Sequence, residues 1–174
     1  MSDYHIAVLD VGKTNKKLLV FDSMLRCLTP QEKGVRFPPV EMEGLICDDM
    51  ASIRKWMLEG LASAARRFND IRAISVSTHG ATIALLGSQA NRLFPGDGGL
   101  AFPIVSYEMN VGADAEKEFF KDIHLSPEEA QRQSATARFA WLLNHARQIH
   151  YLQKTRPGQF EKVTDILMFP QYLG

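Results

Sequence analysis

The sequence predicts an α/β fold, a mixed sheet with flanking helices. Two apolar runs, Ile6 to Leu9 and Leu18 to Phe21, lie on either side of a polar turn and predict two paired strands. Asp48 or Asp49 then caps a predicted helix with apolar residues on one face, and Ile71 to Ser77 is typical of another strand. Strands followed by a helix and more strands indicate an α/β domain.

Three further segments have strand-like composition. Arg26 to Phe37 is predicted to form a third antiparallel strand, which ends at two prolines. Ala81 to Leu86 and Ala101 to Val105 are predicted strands, and the segment between them, rich in Gly, Asn and Asp, predicts a surface loop or wide hairpin.

From Gly112 onward the pattern predicts a helical subdomain. Ser126 followed by Pro127 and Glu129 is typical of a capped helix start. Apolar positions between Phe139 and Ile149 predict another helix, and Pro157 opens a short one. The last residues predict a strand and then a helix start at Pro170. Five residues are too few to propagate a helix, so we expect the chain to be truncated there.

Composition narrows the classes of function. Of 174 residues, 45% are hydrophobic and 23% are charged, which is ordinary for a globular domain. The net charge is +0 and the basic residues are scattered, which argues against nucleic acid and anionic membranes and favours a small-molecule partner. No signal peptide or membrane-length apolar run is evident, so we expect a cytoplasmic protein. Cys27 and Cys47 are predicted to be buried packing residues.

The turn after the first strand carries groups that suit an anion. Glycine allows a tight turn and close backbone approach, hydroxyl and amide groups donate hydrogen bonds, and ammonium groups add positive charge. The candidate phosphate-binding residues are Gly12, Lys13, Thr14, Asn15 and Lys17. Asp10 is the candidate for holding Mg²⁺ through its water shell. The alternative is an ordinary hairpin with a polar turn.

The stretch from His5 to Asp22 resembles the phosphate-1 motif of the actin, hsp70 and sugar-kinase superfamily. The whole chain resembles the N-terminal portion of an FGGY-family carbohydrate kinase. Ser77 to Gly80 (Ser-Thr-His-Gly) stands where that family carries its sugar-contacting loop, and the segments Leu143 to Gln148 and Ile166 to Tyr172 resemble the helical stretch that follows. The resemblance implies a ribonuclease H-like, or actin-like ATPase, domain.

The resemblance also implies a function. Residues 1–174 would form an incomplete N-terminal domain of an ATP-dependent kinase of a small sugar, a ketose or polyol, with ATP and Mg²⁺ as cofactors. The family's catalytic Asp and C-terminal domain would lie beyond this chain, which alone should be inactive. We also expect a homodimer of the full-length parent.

The candidate sugar-binding residues are Thr78, His79 and Glu108, and each has a simpler alternative. His79 would otherwise be a loop histidine bonded to local backbone, and Glu108 a solvated carboxylate. Many family members carry a Trp-x-Asp-x-Arg stretch at Glu108, but no Arg follows here. Trp56 and Trp141 are predicted to be core residues.

Two other functional classes stay open. The chain could belong to a non-catalytic module, derived from a kinase domain, that binds a sugar or a protein partner. It could also be a fragment of an actin-like or hsp70-like ATPase. The loop at His79 and the helix from Asn144 to Gln148 favour a sugar kinase over an actin-like or hsp70-like ATPase.

Overall fold

The computed structural model describes residues 4–88, 99–137 and 142–174. Within these ranges the strands are β1 His5–Val11, β2 Lys16–Asp22, β3 Val40–Met42, β4 Leu45–Cys47, β5 Ile71–Thr78, β6 Ile83–Gly87 and β7 Val163–Met168. The helices are α1 Met50–Arg67, α2 Gly112–Asp122, α3 Pro127–Ser134, α4 His145–Thr155, α5 Pro157–Phe160 and α6 Phe169–Leu173. The predicted α/β class is confirmed.

The described residues divide into two compact units. We call residues 4–40, 48–80 and 168–174 the hairpin unit, and residues 41–47, 81–88, 99–137 and 142–167 the helical unit. The hairpin unit contains a three-stranded sheet in the order β2-β1-β5, in which β1 is antiparallel to β2 and parallel to β5. The sheet is therefore mixed, as predicted.

One face of the hairpin unit's sheet carries its core. Ala7, Leu9 and Val11 alternate along β1 and are almost fully buried. Helix α1 packs on this face, because a Cβ atom added to Gly60 would lie 3.1 Å from the Cδ1 atom of Leu18, which pairs with Leu9. The opposite face of β1 is less deeply buried.

Helix α1 begins where the sequence predicts. The Asp49 side chain accepts a hydrogen bond of 3.0 Å from the backbone N–H of Ser52, which satisfies a donor that the helix itself cannot. Ile53 and Ala64 are buried on the inner side of the helix.

Helix α6 contradicts the expectation that five residues cannot sustain a helix. Phe169 is 1% exposed, and the side-chain oxygen of Gln171 accepts a hydrogen bond of 2.9 Å from the N–H of Met168. Burial of Phe169 and this cap offset the free-energy cost of helix nucleation. The sequence prediction took only the nucleation cost into account.

In the helical unit, β3 pairs with β4 and β6 pairs with β7. Gln148 of α4 is 1% exposed, and its amide nitrogen donates to the carbonyl oxygens of Ala81 and Leu142, both at 2.6 Å. These bonds satisfy a buried amide and tie three segments of the unit together. Ser126 caps α3 as predicted, accepting from the N–H of Glu129 at 3.1 Å.

Two predicted strands are wrong. Arg26 to Phe37 makes only isolated bridges to β2, at Cys27 and at Val35, and between them the Thr29 hydroxyl accepts from the N–H of Val20. Ala101 to Val105 is largely buried but is not a strand. Each segment contains a proline, Pro30 or Pro103, which has no N–H to donate to a ladder.

The helix expected between Phe139 and Ile149 instead starts at His145. Asn144 caps it, accepting from the N–H of Ala146 at 2.9 Å. Phe139, Trp141 and most of the predicted loop before Gly99 lie outside the described residues. Cys27 is half-buried rather than buried.

No helix in the described part of the chain has the length and apolar character to cross a membrane.

The cap of α1 gives a first test. Replacing Asp49 by Ala should lower the free energy of unfolding by about 1 kcal/mol, because the N–H of Ser52 loses its acceptor. Asp49→Asn keeps an acceptor in the same place and should unfold within a few tenths of a kcal/mol of the wild type. Urea denaturation followed by circular dichroism measures both, and equal losses for the two variants would contradict the capping role.

Candidate phosphate-binding site

The turn that joins β1 to β2 is closed by a short backbone contact. A Cβ atom added to Gly12 would lie 2.8 Å from the carbonyl oxygen of Asn15, closer than a side chain tolerates. Glycine is therefore required in this tight turn, as the sequence predicts. The chain can turn within Gly12 to Asn15 and enter β2 at Lys16.

A buried ammonium group supports this turn. Lys16 is 5% exposed, and its Nζ atom donates a hydrogen bond of 2.9 Å to the carbonyl oxygen of Lys13. Its backbone exchanges two hydrogen bonds of 2.9 Å with Val35. Burial lowers the pKa of Lys16, while the nearby carboxylate of Asp48 acts in the opposite direction. Lys16 thus links the Lys13 carbonyl of the turn to the first residue of β2, which is itself paired with Val35.

The neighbouring ammonium group has a carboxylate partner. Lys13 Nζ lies 2.5 Å from Asp48 Oδ1, and the two side chains are 15% and 12% exposed. Thr14 and Asn15 are exposed at the tip of the turn. The Nε of Arg36 donates to the side-chain oxygen of Asn15 at 3.0 Å. The turn therefore presents hydroxyl and amide groups to solvent, with basic side chains beside them.

Strand register brings the other two predicted residues together. Asp10 pairs with Lys17 across β1 and β2, and with Ser77 across β1 and β5. Directly paired residues share a face of a sheet, so these three lie on one face. Lys16 pairs with Val11 and lies on the other face.

The surroundings of Asp10 fit a loosely held Mg²⁺. Among the described residues, no three or more His, Cys, Asp or Glu side chains converge to form a metal cage. Mg²⁺ keeps several waters in proteins and is often held by one or two carboxylates together with substrate phosphates. The single Asp10 carboxylate, beside a turn with exposed hydroxyl and amide groups, meets that requirement.

His79 follows β5 in the same unit. Its ring packs against Phe169, with ring centroids 5.3 Å apart. Burial lowers its pKa below the usual value, only partly offset by the carboxylate of Asp48 and by a hydrogen bond with the Val11 backbone. This shift favours the neutral form of His79, in which an imidazole both donates and accepts hydrogen bonds.

The other two predicted sugar residues have local partners. The Thr78 hydroxyl donates a hydrogen bond of 3.1 Å to the carbonyl oxygen of His79. Glu108 is exposed in a turn of the helical unit, where its N–H donates to the Ser106 hydroxyl at 3.3 Å. Thr78 and His79 are adjacent in the hairpin unit, whereas Glu108 belongs to the helical unit.

The helical unit contains a cavity of about 230 Å³ beside α2 and α4. Arg147 and Glu116 in its wall form an ion pair of 3.2 Å. None of the residues predicted from the sequence to bind phosphate, metal or sugar lines this cavity.

Comparison with known proteins identifies the fold. The sequence matches no protein-family model and no curated protein. The structure is similar to a carbohydrate kinase from Novosphingobium aromaticivorans, at 25% identity and a TM-score of 0.76, over 96% of this chain and 32% of that one. The chain has a carbohydrate-kinase fold.

Further solved structures agree. Gluconate kinase from Lactobacillus acidophilus is 16% identical with a TM-score of 0.74, over 99% of this chain and 32% of that one. Plasmodium falciparum glycerol kinase with ADP is 14% identical with a TM-score of 0.68, over 98% and 33%. The predicted resemblance to carbohydrate kinases and the actin-like fold class are confirmed. The chain spans about one third of the length of these kinases.

Sequence reasoning missed residues that the kinase fold brings to the turn. The sequence indicates Asp48 only as a helix cap, and no local pattern indicates its contact with Lys13, 35 residues away. The sequence predicts a role for Lys17 and not for Lys16, although period-2 alternation places the two lysines on opposite faces. Ser77 is predicted only as part of the His79 loop, yet the β1–β5 register places it beside Asp10.

Adding one methyl group at position 12 should destabilise the turn. Gly12→Ala should lower the free energy of unfolding by about 1–3 kcal/mol, because the new Cβ would overlap the carbonyl of Asn15. Gly80→Ala is the matched control, since nothing lies within 4 Å of its added Cβ. Chemical denaturation of both variants decides, and equal stability would show that the turn has room for a side chain.

Proposed function

We propose that this chain is part of the N-terminal domain of an FGGY-type, ATP-dependent kinase of a small sugar, a ketose or polyol. The observation that carries the proposal is the glycine-closed turn with its three neighbouring lysines, which occurs in a carbohydrate-kinase fold. Support also comes from neighbours named as gluconate, xylulose and glycerol kinases. One of them contains ADP.

In this proposal the hairpin binds the terminal phosphates of ATP. The backbone N–H groups of Gly12 to Asn15 and the Thr14 hydroxyl donate to phosphate oxygens, and Lys13 and Lys17 supply positive charge. Asp10 holds Mg²⁺ through water, which would neutralise charge on the transferring phosphate. Electrostatic positioning of this kind is the main requirement of phosphoryl transfer.

The sugar would contact the His79 loop. The His79 imidazole and the Thr78 hydroxyl offer both donors and acceptors to sugar hydroxyls. Glu108, in the helical unit, stays a prediction as a further sugar-binding residue. We place the catalytic base and the adenine pocket in other parts of the full-length protein, so this chain alone should not turn over ATP. A cytoplasmic location and a homodimer of the full-length protein stay predictions.

The test is ADP release by the full-length protein with Mg²⁺, ATP and a panel of pentuloses, hexuloses and polyols. Lys17→Met should lower kcat/KM for ATP about tenfold or more, since a charge-assisted contact to phosphate is lost. Lys33→Met removes an exposed lysine outside the turn and should leave kcat/KM unchanged.

Two outcomes would count against this function. No ADP with any substrate would reject the kinase, and sugar binding without turnover would favour the non-catalytic module. Equal kcat/KM values for ATP in the Lys17→Met and Lys33→Met variants would show that Lys17 in the hairpin does not contribute to ATP binding.

A further inference from the structure

The charges around the Gly12 turn have different restraints. Lys16 Nζ is buried and bound to the Lys13 carbonyl at 2.9 Å. Lys13 Nζ is held instead by a carboxylate, 2.5 Å from Asp48 Oδ1, in a pair that keeps some exposure on both sides. If Lys13 binds phosphate, its ammonium must leave the Asp48 carboxylate and bind a phosphate oxygen instead.

We propose that Asp48 is a positioning residue that acts as an internal counter-ion for Lys13 until a phosphate group displaces it. The inference rests on the phosphate-binding role proposed above for the turn. A lysine suits this exchange, because its ammonium carries three donors on a flexible four-carbon stem and has no fixed geometry to lose.

The backbone of the turn does not depend on where the Lys13 side chain points. Its shape is held by the close approach of Gly12 to Asn15 and by the bond from Lys16 to the Lys13 carbonyl. The Lys13 ammonium can therefore move from Asp48 to a ligand while the turn keeps its form. In this proposal Lys16 stabilises the shape of the turn, and Lys13 contacts the ligand.

Asp48 also keeps a cation nearby when Lys13 leaves. Burial lowers the pKa of Lys16, and the nearby Asp48 carboxylate acts against that shift. A carboxylate that lost its only cation in a nearly buried position would be strongly destabilised. Lys16 reduces that penalty and makes the displacement feasible.

The counter-ion role predicts effects of opposite sign. Without ligand, Asp48 stabilises the turn by compensating two neighbouring ammonium groups. With an anionic ligand, the same carboxylate repels the ligand and competes for Lys13. A residue that only maintained the fold would lower stability and affinity together when it was replaced.

Calorimetric titration of the chain with pyrophosphate at low salt tests this role. Asp48→Asn should bind pyrophosphate about three- to tenfold more tightly than wild type, since a competing charge is removed. Its melting temperature without ligand should be lower. Asp49→Asn is the matched control: it makes the same charge change one residue away, keeps the helix cap, and should bind within about twofold of wild type.

The outcomes separate the two proposals. If wild type binds pyrophosphate and Asp48→Asn binds no more tightly than Asp49→Asn, the counter-ion role is wrong while the phosphate site stands. If no protein binds pyrophosphate, the phosphate-binding turn and the counter-ion role are both overturned.

Should Asp48→Asn fail to fold, wild-type protein with ¹³C-labelled lysine decides. Saturable movement of the Lys13 Cε signal with pyrophosphate supports displacement. An unmoved signal, while the amides of the turn respond, overturns it.

Discussion

The close approach of Gly12 to the carbonyl of Asn15 is the constraint on which the site depends. Because the backbone reverses within Gly12 to Asn15, β2 returns alongside β1 in a register that pairs Asp10 with Lys17. The same reversal sends Lys16 to the opposite face, where its ammonium reaches back to the Lys13 carbonyl. A side chain at position 12 would disturb both arrangements at once.

The three lysines at and beside the turn lie in different environments. Lys16 is buried and braces the backbone, Lys13 is paired with Asp48, and Lys17 shares a face with Asp10. Like charges held close together cost stability through mutual repulsion. Burial with a backbone acceptor, an ion pair and a cross-strand carboxylate reduce that cost.

Local features of this fold were predictable from the sequence, and tertiary ones were not. The hairpin, a cap of α1 at Asp48 or Asp49 and the start of α3 at Ser126 depend on residues close in sequence, and all three were predicted. Strands through Pro30 and Pro103 were wrongly predicted because composition was weighed above the missing N–H. Helix α6 was missed because burial of Phe169 stabilises it. The contact between Lys13 and Asp48 spans 35 residues and leaves no sequence pattern.

The proposed function depends on phosphate binding by the turn from Gly12 to Asn15. The most direct measurement is an amide NMR titration of the ¹⁵N-labelled chain with MgATP. If the turn binds the phosphates, saturable shifts centre on the backbone N–H groups of Gly12 to Asn15, with smaller changes at Lys16 and Lys17. Shifts confined to the helical unit, with the signals of the turn unmoved at saturating nucleotide, would contradict it.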